Sequence, residues 1–169
     1  TVTSIVQGPD GYLWLGTFNG LARFDGVEFR VLTPANTPGL TSARIVKLHL
    51  DRSGALWAAG EEGELFRIRD GVVTPFSPPS LGSTARLARD LVEDGTGGIW
   101  VLNYEASIAR LVGERFRPCP HRDPVTEAED GFESLAADRD GGVWAATRHR
   151  ICVWKGDAFE TLWPASGRD

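Results

Sequence analysis

Apolar residues along this chain come in short β-favouring runs, each stopped by a Gly-containing polar turn, and the same grammar returns four times. The second copy is the clearest. Ile45-Val46-Lys47-Leu48-His49-Leu50 predicts an inner strand that stops at Asp51-Arg52-Ser53-Gly54, a turn sequence with Asp first and Gly last. Leu56-Trp57-Ala58-Ala59 predicts a second strand, reversed by Glu61-Glu62-Gly63. Leu65-Phe66-Arg67-Ile68 predicts a third, and Asp70-Gly71 turns it into a fourth, Val72 to Phe76. Four antiparallel strands of this kind make one propeller blade.

Four tryptophans, Trp14, Trp57, Trp100 and Trp144, fall 43, 43 and 44 residues apart, each within the same local phrase. A period in the low forties with a Gly turn before each Trp is the signature of a β-propeller. Asp51, Asp94 and Asp138 stand six residues before their tryptophans, where the first copy has Gly8. The third strands read Leu21-Ala22-Arg23-Phe24, Leu65-Phe66-Arg67-Ile68, Ile108-Ala109-Arg110-Leu111 and Ile151-Cys152-Val153-Trp154. A Gly follows each, then Phe29, Phe76, Phe116 or Phe159. The expected fold is therefore all-β: four consecutive four-stranded antiparallel blades, at about 2–32, 43–77, 87–118 and 132–163, in one propeller segment. The repeated indoles are expected to fill the wedges between twisted blades. Arg23, Arg67 and Arg110 are expected to be solvated or paired with turn aspartates.

The first copy, from Asp10-Gly11-Tyr12-Leu13-Trp14-Leu15-Gly16-Thr17 through Phe18-Asn19-Gly20-Leu21-Ala22-Arg23-Phe24 to Asp25-Gly26-Val27-Glu28-Phe29, resembles a two-component regulator propeller repeat. The resemblance extends over all four copies and is weakest in the third, where Asn103-Tyr104-Glu105-Ala106-Ser107 replaces the Gly-Thr and Gly-Leu signature. It implies the extracytoplasmic sensor region of a membrane-anchored bacterial receptor, built as seven-bladed propellers, with a histidine kinase or diguanylate cyclase as output. For this segment it implies a non-catalytic, ligand-binding role and a periplasmic or extracytoplasmic location. Four copies are fewer than seven, so the reading expects either a partial ring or a ring completed by a second chain, with apolar flanks on the first and last blades that favour a homo-oligomer. With no Met anywhere in the 169 residues, the reading also expects an excised part of a larger protein.

Charge narrows the partners. Asp and Glu outnumber Lys and Arg, 23 to 18, without a long basic run, so neither nucleic acid nor an anionic membrane surface is an expected partner. No apolar run approaches the length of a membrane span, so direct membrane insertion by this segment is not expected. Cys119 and Cys152 lie at non-equivalent places in adjacent repeats and are read as buried or spare thiols.

Chemistry is sparse. His49, His121 and His149 fall in different blades without metal-ligand spacing, so no metal, no cofactor and no catalytic residue is assigned. His121-Arg122-Asp123 sits in a Pro-rich connection and is read as a loop, and Glu127-Ala128-Glu129-Asp130 as a solvated acidic run. If a ligand binds, the variable loops between second and third strands and between blades are its place. The candidates are Phe18, Asn19, Glu61, Glu62, Tyr104, Glu105, Arg148 and His149, with Asn36, His121 and Arg122 from the connections. Their mixture suits a small polar ligand such as an oligosaccharide. The alternatives are a protein-protein interaction scaffold and, behind it, a propeller lyase or lactonase, because Gly8-Pro9-Asp10-Gly11 before Leu13-Trp14 also fits that type of repeat.

Overall fold

The computed structural model describes residues 1–76, 88–103, 107–122 and 131–163. All regular structure among them is β. Strands β1 (Val2–Gln7), β2 (Leu13–Thr17), β3 (Gly20–Phe24) and β4 (Phe29–Leu32) form the first sheet, in sequence order. β5 (Ile45–Leu50), β6 (Leu56–Gly60), β7 (Leu65–Arg69) and β8 (Val72–Phe76) form the second. The third is β9 (Ala88–Glu93), β10 (Ile99–Asn103), β11 (Ile108–Val112) and β12 (Arg115–Pro118), and the fourth is β13 (Ser134–Ala137), β14 (Val143–Ala146), β15 (Ile151–Trp154) and β16 (Phe159–Trp163). Each is an antiparallel meander, the arrangement of a propeller blade. Among the described residues no helix is long and apolar enough to cross a membrane.

The chain divides into two compact units, one holding the first two blades and the other the last two. In the first unit Leu21, Ile45, Leu48, Leu56, Ala58 and Phe66 form a buried cluster, with Trp14 and Leu32 packed on its edge. The second unit has a cluster of Trp100, Leu102, Ile108, Leu135, Val143, Cys152 and Phe159. Side chains alternate across each strand, so the face that carries Trp14 or Trp100 is the one turned to the next blade. Trp100 meets Trp154 and Phe159 edge-on, with ring centroids 5.1 and 5.9 Å away. Each such pair adds about 0.5–1.5 kcal/mol beyond area burial.

Burial differs among the four indoles. Trp57 and Trp100 are 2% and 1% exposed, whereas Trp14 and Trp144 are half-buried. The arginine expectation is corrected in a similar way. Arg110 pairs with Asp94, but Arg23 lies over the Tyr12 ring, 4.2 Å from its centroid, and Arg67 over Phe76 at 5.2 Å. A guanidinium above an aromatic face keeps its charge hydrated at the edge while its stem covers apolar surface. Cys119 and Cys152 are buried thiols outside any disulfide, and burial pushes Cys119 up to about 11. The Asp70-Gly71 turn has both residues at positive φ, 50° and 78°, the geometry of a tight two-residue hairpin.

Candidate functional site: the turn aspartates and the loop rim

The aspartate six residues before Trp57, Trp100 and Trp144 does more than open a turn. Asp51 Oδ1 accepts from the Ala55 N–H at 2.9 Å and from Ser53 Oγ at 2.7 Å, while Oδ2 accepts from Trp57 Nε1 at 2.8 Å. Asp94 repeats this with the N–H groups of Thr96 and Gly98, with Thr96 Oγ1 and with Trp100 Nε1 at 2.8 Å, and adds Arg110 Nε at 2.8 Å. Asp138 takes the N–H groups of Asp140 and Gly142 and the Nε1 of Trp144 at 2.8 Å. One carboxylate thus ties a β-turn to an indole on the neighbouring strand. Burial alone would raise the Asp94 carboxyl, but the donors from Trp100, Thr96 and Gly98 outweigh it and hold it down at about 2. Asp51 and Asp138 are lowered too, Asp51 against a burial effect that acts the other way. The spacing was legible in the sequence; the Asp–Trp bond was not, because a recurring spacing does not say which side-chain atoms meet. In the first blade Gly8 takes this place, and a Cβ there would lie 2.5 Å from Asp10 Oδ1, which accepts from the Tyr12 N–H instead.

In three of the four blades the loop between second and third strands is built by the side chain three residues after the Trp. Thr17 Oγ1 accepts from the Asn19 N–H, Thr147 Oγ1 from those of His149 and Arg150, and Asn103 Oδ1 from that of Ser107. A hydroxyl or amide that satisfies the turn's own backbone leaves the next residue pointing outward. That next residue is Phe18 or Arg148; in the second blade Gly60 holds the place, its N–H donates to the Glu64 carbonyl at 2.8 Å, and Glu61 follows it.

In the first unit the structure brings Phe18 and Glu61 together through a residue absent from the candidate set. Arg44, immediately before β5, lies over the Phe18 ring at 4.1 Å and forms a two-pronged ion pair with Glu61, Nη2 to Oε1 at 2.9 Å and Nε to Oε2. The Glu61 N–H donates to the Arg44 carbonyl at 2.8 Å. Asn19 and Glu62 are exposed beside this triad. In the second unit the signs are exchanged: Glu133, immediately before β13, accepts from Arg148 Nε at 3.0 Å. Nothing in the sequence marked Arg44 and Glu133, since they abut strands rather than loop tips.

Other candidates are placed elsewhere. Asn36 is consumed by its own loop, accepting from the Thr33 N–H and donating to the Val31 carbonyl. His121 Nε2 sits 3.3 Å from Cys152 Sγ and 3.4 Å from Thr161 Oγ1, and Arg122 pairs with Asp157 and Glu160. The backbone of His121 and Arg122 pairs with Phe159, at the opposite end of the fourth sheet from the turn carrying Arg148 and His149. His121 and Arg122 therefore fasten a connecting segment to the outer edge of that blade. Tyr104, Glu105, Asp123 and the acidic run 127–130 lie outside the described residues. Among the described residues no group of three His, Cys, Asp or Glu is placed to hold a metal ion.

Comparison with known proteins fits this architecture. Residues 1–19 match the family model described as two component regulator propeller. No curated protein sequence matches the chain. Among solved structures, the extracellular domain of the hybrid two component system BT3049 from B. thetaiotaomicron superposes with TM-score 0.68 at 22% identity, over 99% of this chain and 22% of that one. The gluconolactonase XC5397 from Xanthomonas campestris gives 0.65 at 12% identity, over 95% of this chain and 61% of that one. PorZ, a surface component of the type-IX secretion system of Porphyromonas gingivalis, gives 0.63 at 17%, over 90% of this chain and 24% of that one. The chain thus spans about a fifth of the length of the two-component domain that it resembles. At these identities the likeness establishes the β-propeller fold.

Proposed function

We propose that this chain is a non-catalytic sensing segment of a bacterial two-component-type receptor, acting outside the cytoplasm and binding a small polar ligand on its loop rim. The observation that carries the reading is the family match at residues 1–19, which ends on the rim residues Phe18 and Asn19. The geometry of the first unit supports it. Arg44 is held in a fixed plane by the Glu61 carboxylate and the Phe18 ring, so its outward N–H groups are pre-organised donors. Beside them stand the Asn19 amide and the Glu62 carboxylate. A flat donor surface with amide and carboxylate acceptors is chemistry that hydroxyl-rich ligands such as oligosaccharides use.

Thermal shift against a panel of neutral and acidic oligosaccharides tests this. A ligand selective for the folded state at 100 times its Kd adds about 2.7 kcal/mol. For a chain of this size that raises the melting temperature by about 5–10 °C. Arg44→Ala is expected to abolish the shift and to leave the unliganded melting temperature within about 2 °C, because an exposed ion pair contributes little. No shift from any member of the panel would remove the sensing assignment. Turnover of a lactone by the purified chain, with or without added divalent ions, would replace it with an enzyme.

A further inference from the structure

Blade 3 contains a complete carboxylate site made by the chain itself. Trp100, Arg110 and Arg117 stand directly opposite one another on β10, β11 and β12, so their side chains share one face. The Asp94 carboxylate serves this row, its Oδ2 accepting from Trp100 Nε1 and from Arg110 Nε, both at 2.8 Å. Its Oδ1 accepts from the turn, including the Gly98 N–H at 2.9 Å.

Blade 1 repeats the row without the acid. Trp14, Arg23 and Arg30 are opposite one another on β2, β3 and β4 in the same order. Gly8 stands where blade 3 has Asp94, six residues before the Trp. A Cβ built on Gly8 would lie 3.4 Å from Trp14 Nε1, so the indole nitrogen borders the same place as those that meet Asp51, Asp94 and Asp138. Asp10 takes over only the turn half of the role: its Oδ1 accepts from the Tyr12 N–H at 3.2 Å, the counterpart of the Gly98 bond. Among the described residues no acceptor reaches Trp14 Nε1, and no carboxylate pairs with Arg23 or Arg30. Asp25 feels the Arg23 charge but is itself occupied by the N–H groups of Val27 and Glu28. Like charges directly opposite in a sheet are destabilising. Blade 3 relieves that repulsion with Asp94; blade 1 places no acid of its own there.

We propose that blade 1 binds the carboxylate of a small acidic molecule where blade 3 holds its own, with Trp14 Nε1, Arg23 and Arg30 as the donors. Asp94 shows that one carboxylate spans the indole and the guanidinium of such a row, and charge-assisted bonds of this kind are the stronger class. The Asp10 charge opposes the ligand, and two guanidinium groups outweigh it. The site lies on the face that packs against blade 2, at the β1–β2 turn and so at the opposite end of the blade from Phe18 and Asn19. It does not depend on the sensing assignment and stands if the loop rim binds nothing.

The test follows the indole N–H resonances of the 169-residue chain by NMR during titration with sodium acetate or sodium glucuronate at constant ionic strength, the Trp14 signal being assigned from Trp14→Phe. The Trp14 signal should move saturably, with a Kd of about 1 mM for acetate, within what so small a ligand can supply. Trp57 and Trp100, whose N–H groups Asp51 and Asp94 already hold, should stay in place. Arg23→Gln should weaken binding about tenfold and Arg30→Gln about threefold, whereas Asp10→Asn should strengthen it about threefold. Gly8→Asp supplies the carboxylate from within, so its Trp14 signal should begin near the bound position and no longer respond to acetate. Tighter binding of glucuronate than of acetate assigns the site to acidic sugars, and equal binding assigns it to simple organic acids; either supports it. A Trp14 signal that neither salt moves would overturn the proposal. So would a titration that Arg23→Gln and Gly8→Asp both leave unchanged.

Discussion

Asp94→Ala is expected to lower the melting temperature of the second unit by roughly 10 °C or more, the largest loss from any single carboxylate in the described structure. The Asp94 side chain is almost fully buried and serves five donors: the indole of Trp100, the N–H groups of Thr96 and Gly98, the Thr96 hydroxyl and the Arg110 guanidinium. Truncation leaves a buried indole N–H and a partly buried cation without their acceptor. Removing one partner of such a network costs about 3–5 kcal/mol, more than the net worth of its individual bonds. Asp138→Ala removes a similar set of bonds around the half-buried Trp144, where water can replace the lost acceptor, and should be much milder. The same network sets an acid limit. The folded carboxyl titrates at about 2 against 3.8 for the ordinary group, so its stabilisation is complete above about pH 4 and is lost as pH falls from 4 toward 2. That shift corresponds to about 2 kcal/mol. The stability gap between wild type and Asp94→Ala, measured by denaturant titration, should therefore narrow by about that amount between pH 5 and pH 2. A constant gap would show that Asp94 acts by packing alone.

Most of the architecture was legible in the chain because a propeller writes each structural demand once per blade. The Trp spacing gave the period, Gly and Asp-Gly gave the turns, and alternation gave the strands. What the repeat could not reveal were contacts made by residues that differ from copy to copy. Arg44 stands thirteen residues before Trp57 and Glu133 eleven before Trp144, with opposite signs, so no repeated letter announces the ion pairs. Phe18, Glu61 and Arg148 were identifiable as outward loop residues from their place in the repeat, but which of them meet is decided by the residue that abuts the inner strand. His121 and Arg122 looked like free loop groups because their partners Cys152, Thr161, Asp157 and Glu160 come more than thirty residues later in sequence. Trp14 and Trp144 share the phrase of Trp57 and Trp100 yet stay half-exposed, since local sequence sets the direction of an indole and not what covers it.

Gly141→Ala and Gly11→Ala should differ sharply although the two glycines hold equivalent places in their blades. Their φ values are +86° and +83°, so the backbone penalty for an L side chain is nearly the same, about 1 kcal/mol. Space separates them. A Cβ at Gly141 collides with the backbone of Gly95, whose N–H donates to the Gly141 carbonyl at 3.1 Å, and a rigid turn cannot retreat as a side-chain tip could. A Cβ at Gly11 meets nothing within 4 Å. Forcing the turns apart adds an overpacking cost of about 1–3 kcal/mol and strains the bond between them. Calorimetry should therefore show Gly141→Ala lowering the melting temperature by roughly 6–12 °C and Gly11→Ala by only about 2–4 °C in the isolated chain. Equal losses at positions 11 and 141 would mean that positive φ, not the approach of neighbouring turns, is what requires glycine there.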